Sequence, residues 1–222
     1  MAKVDSLRTL LVQQLRDIYG AEKRLTKAIP KLVKAASSED LSTALESHLG
    51  ETDEHVSRLE QAFQSLGEPA RGKECKGIKG IIEEGDEHVG EDFADDGLRD
   101  ATIIGAAQRV EHYEIAAYGT AIAHARLLKL DQVVRLLEES FEEEKAADEK
   151  LTAIAEQVVN SDAANAEGDD AQEEPEMVGA GVLSGSKSSQ AAKRGSTGGN
   201  GGRSAGGSRG PGWKSSSAKR GR

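Results

Sequence analysis

Four long segments place apolar side chains at helical spacing, and the links between them limit how the chain can pack. The first runs from Val4 to Ala36, with Leu7, Leu11, Ile18, Leu25, Ile29, Leu32 and Ala36 on one stripe. The second runs from Glu39 to Leu66, with Ser38 as its expected cap and Gly67 ahead of Pro69 as its stop. The third covers Gly97 to Leu128, and the fourth Asp131 to Val159, with Asp131 as the expected cap. No stretch alternates at period two, so the fold class is all-α. Two short links predict two antiparallel hairpins. The long link, Gly67 to Gly97, holds a short helical candidate at Lys76–Glu84 and can run back along the helices as a crossover. Pro30 should kink or break the first helix, because proline lacks an N–H and crowds the preceding turn.

Composition changes abruptly after this body. Residues 1–160 form the expected domain, and residues 161–222 an expected disordered tail of Gly, Ser, Ala, Lys and Arg. Of the 29 Lys and Arg, nine lie in the tail; of the 39 Asp and Glu, seven do. The body is therefore at −12, residues 161–176 at −7 and residues 177–222 at +9. The basic stretch offers phosphate-binding charge. The acidic body and residues 161–176 oppose it, so a spacer role is expected, with weak nucleic-acid contact as the alternative. No long apolar run predicts a membrane span, and the N-terminus enters a charged amphipathic pattern at once, so the expected compartment is the cytoplasm. A single cysteine, Cys75, excludes a disulfide scaffold or a thiolate metal cluster built from one chain.

The informative residues are acids on the apolar faces. Glu22 lies four after Ile18 and three before Leu25. Glu114 stands in the same relation to Val110 and Ala117, and Glu111 follows Ala107 by four. Glu144 follows Phe141 by three. On the second helix His55 shares the stripe of Leu41, Leu59 and Leu66, with Glu51 on its margin. Buried carboxylates must be neutralised, paired or bound to a cation. Lys and Arg lie mostly off these stripes, so a shared cation resolves the conflict. Glu22 and Glu51 are 29 residues apart and Glu114 and Glu144 are 30 apart, which sets each pair at a similar distance from its own hairpin turn.

A Glu on each of two helices, with Glu-x-x-His on two others, is the di-metal pattern of ferritin-like bundles. The stretches LRDIYGAEKRL, ETDEHVSRLE, RVEHYEIAAYGTA and EEEKAADEKL resemble the YciF-like family of bacterial stress proteins over about residues 4–158. That resemblance implies a ferritin-like four-helix bundle related in shape to rubrerythrin, a possible di-iron site and a link to stress. The expected metal ligands are Glu22, Glu51, His55, Glu111, Glu114 and Glu144. The pattern departs from ferritin at two places. Glu54, not His, follows Glu51 by three, with His55 one later; Glu144 has no His partner, and Asp148 follows it by four. The wheel selects His55 and the i+3 analogy Glu54. Oxygen-rich ligands suit two iron ions, or manganese.

Tyr19 and Tyr118 stand close enough along their helices to bond a ligand, although packing is the simpler role. His48, His88, His112 and His124 are expected in surface or packing positions. A homodimer is expected. Two functions fit: a di-iron protein that oxidises Fe(II) or reduces peroxide, and a non-enzymatic stress protein with a degenerate metal site.

Overall fold

The computed structural model describes residues 4–165. Helix α1 spans Leu7–Ala35, α2 Glu39–Leu66, α3 Lys76–Val89, α4 Asp96–Leu127 and α5 Asp131–Ile154. A π-helical turn, Ala155–Val159, leads into α6, Asn160–Asn165. Among the described residues there is no strand, and no helix is long and apolar enough to cross a membrane. Helical backbone thus continues through Asn165, past the expected end of the body; the rest of the tail lies outside the described residues.

Local chemistry fixes the helix ends. Ser6 Oγ accepts from Thr9 N at 3.1 Å, and Ser38 Oγ accepts from Leu41 N at 3.4 Å, which satisfies amides that the first turn leaves free. Gly67 ends α2 at φ 67°, a left-handed conformation that glycine adopts without a Cβ clash. Asp131 is not the cap of α5: Leu130 holds that position without a side-chain bond, and Asp131 lies in the first turn, where a negative charge suits the helix dipole. Pro30 does not break α1, which continues to Ala35. Only the bond to the Thr26 carbonyl is forfeited, one turn from the helix end.

Helix α1 packs on α2 and α4, and α5 packs on the other sides of α2 and α4. The four long helices therefore each touch two of the others. Helix α3 is longer than its sequence candidate and rests on α4 and α1, burying Ile78. The link before it is tied to α1: Lys73 N donates to the Arg16 carbonyl at 3.0 Å. Gly20 permits this approach, since a Cβ there would stand 2.0 Å from the Lys73 carbonyl oxygen. Asp100 of α4 is buried, and its carboxylate accepts from Ser37 N at 2.9 Å and Ser38 N at 2.7 Å, closing the α1–α2 turn.

The apolar interior has two parts. One gathers Leu11, Leu15, Ile18, Leu59, Phe63, Tyr118 and Leu137. The other gathers Leu25, Ile29, Leu41, Leu45, Ile78, Ile103 and Leu151. Full burial of each such side chain contributes about 1.5–3 kcal/mol. Along every long helix the buried residues between the two parts are polar: Glu22 on α1, His48, Thr52 and His55 on α2, Glu111 and Glu114 on α4, and Ser140 and Glu144 on α5. A polar layer therefore lies between two apolar ones.

Candidate metal centre

Each polar residue of this layer sits where an apolar stripe predicts a core side chain, so the helices carry it inward. Glu22, His48, His55, Glu111, Glu114 and Glu144 are all buried. Two triads bring ligand atoms within 4.8 Å of one another: Glu22, His55 and Glu144, and His48, Glu111 and Glu144. Glu144 belongs to both. Its Oε1 lies 3.0 Å from His55 Nδ1, and its Oε2 lies 3.6 Å from His48 Nε2. It therefore presents one oxygen to each triad. Glu22 Oε1 is 3.5 Å from His55 Nδ1, and Glu111 Oε1 is 3.4 Å from His48 Nε2.

Hydrogen bonding leaves the middle of the layer unsatisfied. Eight buried atoms there have no hydrogen-bond partner: Glu22 Oε2, His48 Nε2, His55 Nδ1, Glu111 Oε2, both oxygens of Glu114 and both of Glu144. His55 Nδ1 and Glu144 Oε1 are close but poorly aligned for a bond. Native interiors leave only a few such atoms, and each costs about 1–3 kcal/mol. Eight in one place, contributed by all four long helices, match the donor set of a cation site: carboxylate oxygens and two imidazole nitrogens, suited to iron or manganese. The residues present fit the metal that their spacing implies.

Electrostatics agree with the geometry. Burial pushes the Glu114 carboxyl well above the usual range, and the charges of Glu22, Glu144 and Glu111 push it further. Burial likewise raises Glu111 against the opposing pull of His48, with Glu144 and Glu22 adding to the rise. Glu144 is raised by burial and by Glu22, against His55. Burial disfavours the charged form of His55, but the carboxylates of Glu144 and Glu22 outweigh it and lift the imidazole to about 11. Without metal, protons do the work that cations would do.

A shell of polar groups orients these side chains. Tyr118, fully buried, donates to Glu22 Oε1 at 2.5 Å. His55 Nε2 lies 2.8 Å from Glu143 Oε2, and Arg58 grips the same carboxylate through both terminal nitrogens, at 2.5 and 2.9 Å. Arg58 and His55 pull the Glu143 carboxyl below its usual range despite the penalty of burial. A proton held on Nε2 by Glu143 directs Nδ1 at Glu22 and Glu144; without metal Nδ1 is protonated as well, and a cation binding there would displace that proton.

Of the expected residues, Glu22, His55, Glu111, Glu114 and Glu144 meet in the layer. Glu51 stands at its edge: its side chain is 40% exposed, and its Oε2 lies 3.2 Å from His48 Nδ1. Glu54 is exposed, whereas His55 is buried. Asp148 accepts from Gln108 at 3.1 Å and pairs with the exposed His112, outside both triads. Tyr19 donates to Glu60 at 2.7 Å and touches no ligand. His48 is the correction. It was expected in a surface or packing role, yet it is buried between Glu51, Glu111 and Glu144. It precedes His55 by seven residues, two helical turns, and that spacing was the available signal. His88 and His124 lie outside the layer, bonded to Glu91 and Gln14. The Cys75 thiol is buried 2.9 Å from the Tyr113 hydroxyl.

Comparison with known proteins gives one family and several relatives. The family described as Domain of unknown function (DUF892) matches residues 6–164. Protein YciF of Escherichia coli is 42% identical over 161 residues, which cover 72% of this chain and 96% of that protein. The crystal structure described as the E. coli stress protein YciF superposes with a TM-score of 0.67 over 71% of this chain and 99% of that one. A Rhodopseudomonas palustris protein described as YcfI, a putative structural protein, is 48% identical, with a TM-score of 0.67 over 69% of this chain and 97% of that one.

Proposed function

We propose that this chain, which belongs to the DUF892 family and is similar to YciF of Escherichia coli, is a ferritin-like di-metal protein of the stress response. In this reading α1 with α2 and α4 with α5 are the two hairpins of a four-helix bundle, and the link carrying α3 is the crossover. Glu22, His55, Glu114 and Glu144 hold one cation; His48, Glu111 and Glu144 hold the other. Iron is the expected metal and manganese the alternative. The observation that carries the reading is the set of eight unpartnered buried atoms on these residues.

Two Fe(II) ions held by these residues would supply the two electrons needed to reduce hydrogen peroxide, with two protons, to two waters, and would end as Fe(III). The chain's own residues set the conditions. The apolar layers on either side exclude bulk water. Tyr118 holds Glu22 by its Oε1 and leaves Oε2 free toward the site. Glu143 and Arg58 hold His55 with Nδ1 inward. In the metal-free state burial keeps Glu111 and Glu114 protonated, and both would give up their protons on binding the cations, so loading should release protons. The link to stress rests on the description of the E. coli relative. Residues 177–222, with nine basic side chains, act as a spacer.

Metal analysis and anaerobic Fe(II) titration of the purified chain test this. Two Fe(II) per chain and peroxide consumed at one per two Fe(II) are expected. Metal bound without peroxide consumption would refute the redox reading and leave a purely structural centre. No binding of Fe(II) or Mn(II) would refute the metal reading.

A further inference from the structure

A cation must reach the buried layer through the wall of the helices, and the wall is not uniform. Between α2 and α5 several side chains are small, with Leu45 and Leu151 the large apolar ones. Ala44, Ser47, Ala146 and Ala147 border a cavity of about 90 Å³ that reaches Glu111 inside and Glu51 outside. That volume holds several waters, since one needs roughly 10–15 Å³. On the side of α1 and α3 a second cavity, of about 30 Å³, also ends at His48 and Glu111, but Leu25, Ile29, Leu32, Ile81 and Val110 dominate its walls, and its outer carboxylate, Asp86, is already paired with Lys31 at 2.7 Å. A hydrated ion passing there would lose water against a mostly apolar wall.

Along the α2–α5 gap replacements are available at each step. Glu51 offers a carboxylate that is partly in solvent, 3.2 Å from His48 Nδ1. His48 is buried, and its Nε2 has no hydrogen-bond partner. That nitrogen points on toward Glu111 Oε1 at 3.4 Å and Glu144 Oε2 at 3.6 Å. The sequence from solvent is carboxylate, imidazole, carboxylate pair. We propose that the gap between α2 and α5 is the entrance by which divalent cations reach the buried site, with Glu51 the first ligand met and His48 the relay to Glu111 and Glu144. This rests on the di-metal reading above. Glu51 accordingly acts on the rate of loading and is not a resident ligand. Lys150 is the opposing charge: it borders the same cavity, is exposed, and can swing its long stem away.

Stopped-flow uptake of Mn(II) by the full chain, followed by competition with a fluorescent chelator, tests the assignment. Glu51→Gln should slow uptake and release together, by about tenfold or more, the scale on which local charge alters association rates. Two sites per chain should still fill. Ala147→Leu, which narrows the gap while Glu51 stays intact, should slow uptake as well, and Lys150→Gln should speed it. Unchanged uptake in both Glu51→Gln and Ala147→Leu overturns the proposal. So does normal uptake with faster release or lost stoichiometry in Glu51→Gln, which makes Glu51 a resident ligand. A wild-type chain that takes up no Mn(II) instead overturns the metal reading itself.

Discussion

Glu114 is the residue at which metal binding and stability pull hardest against each other. It is 1% exposed, and neither of its carboxylate oxygens has a hydrogen-bond partner. Glu114→Gln keeps the shape and makes permanent, without the cost of taking up a proton, the neutral form that burial and the neighbouring acids favour. The new amide can donate to Glu22, Glu111 or Glu144, each of which has a free buried oxygen. Relieving one unsatisfied buried group is worth about 1–3 kcal/mol. For a domain of this size 1 kcal/mol moves Tm by about 2–4 °C, so the metal-free variant should melt roughly 2–12 °C higher than wild type. Metal should reverse the order of benefit. At about 100 Kd, one cation bound only by the folded state adds about 2.7 kcal/mol. A tenfold weaker site at the same concentration adds about 1.4 kcal/mol, half as much. The assay is calorimetry of both proteins in chelator-treated buffer and again with Mn(II), which stays divalent in air. A metal-free variant less stable than wild type, or one with an undiminished response to Mn(II), would refute the reasoning.

Other consequences follow from the surrounding geometry. Glu143→Ala removes the acceptor of His55 Nε2 and should weaken Mn(II) binding about 10–100-fold by titration calorimetry, with Glu143→Gln, which keeps an acceptor, losing less. Metal-free stability should fall as pH rises: the His55 contribution is fully present below its unfolded value near 6.5 and is lost toward about 11. The raised Glu111, Glu114 and Glu144 act in the same direction from 4.5 upward, and a flat series of urea midpoints between pH 6 and 9 would contradict this. Asp100→Ala strips the acceptor from Ser37 N and Ser38 N and should cost about 2 kcal/mol in urea unfolding, with Mn(II) stoichiometry unchanged.

What the sequence made legible was whatever depends on a single helix. Period and stripe located four long helices, and an acid four after one core residue and three before another was visibly an inward one. Glu22 and Glu114 were found that way, Glu111 at four after Ala107 and Glu144 at three after Phe141, and the wheel chose His55 over Glu54 for the same reason. His48 was legible too, at seven before His55, but histidine tolerates both surface and core, so its spacing carried less weight than that of an acid. Contacts between distant elements were not legible. The Arg58–Glu143 pair joins α2 to α5, and Asp100 meets the α1–α2 turn from α4. No local pattern encodes such partners. Helix α3 was foreshortened because Gly77, Gly80 and Gly85 lower its propensity, while its packing against α4 and α1 carries it to Val89.

The layered interior explains how such a costly cluster is tolerated. If the six buried titratable groups were spread through the core, each would disrupt apolar contacts around it. Confined to one level, they leave two apolar bodies on either side, one around Phe63 and Leu137 and one around Ile78 and Ile103. Those bodies fix the four helices, and the helices then force the carboxylates together whether or not a cation is bound. Burial in this arrangement raises the affinity of each acid for a proton or a metal alike. The same strain that depresses metal-free stability is therefore the source of cation affinity, and Glu144, shared by both triads, feels it from both sides.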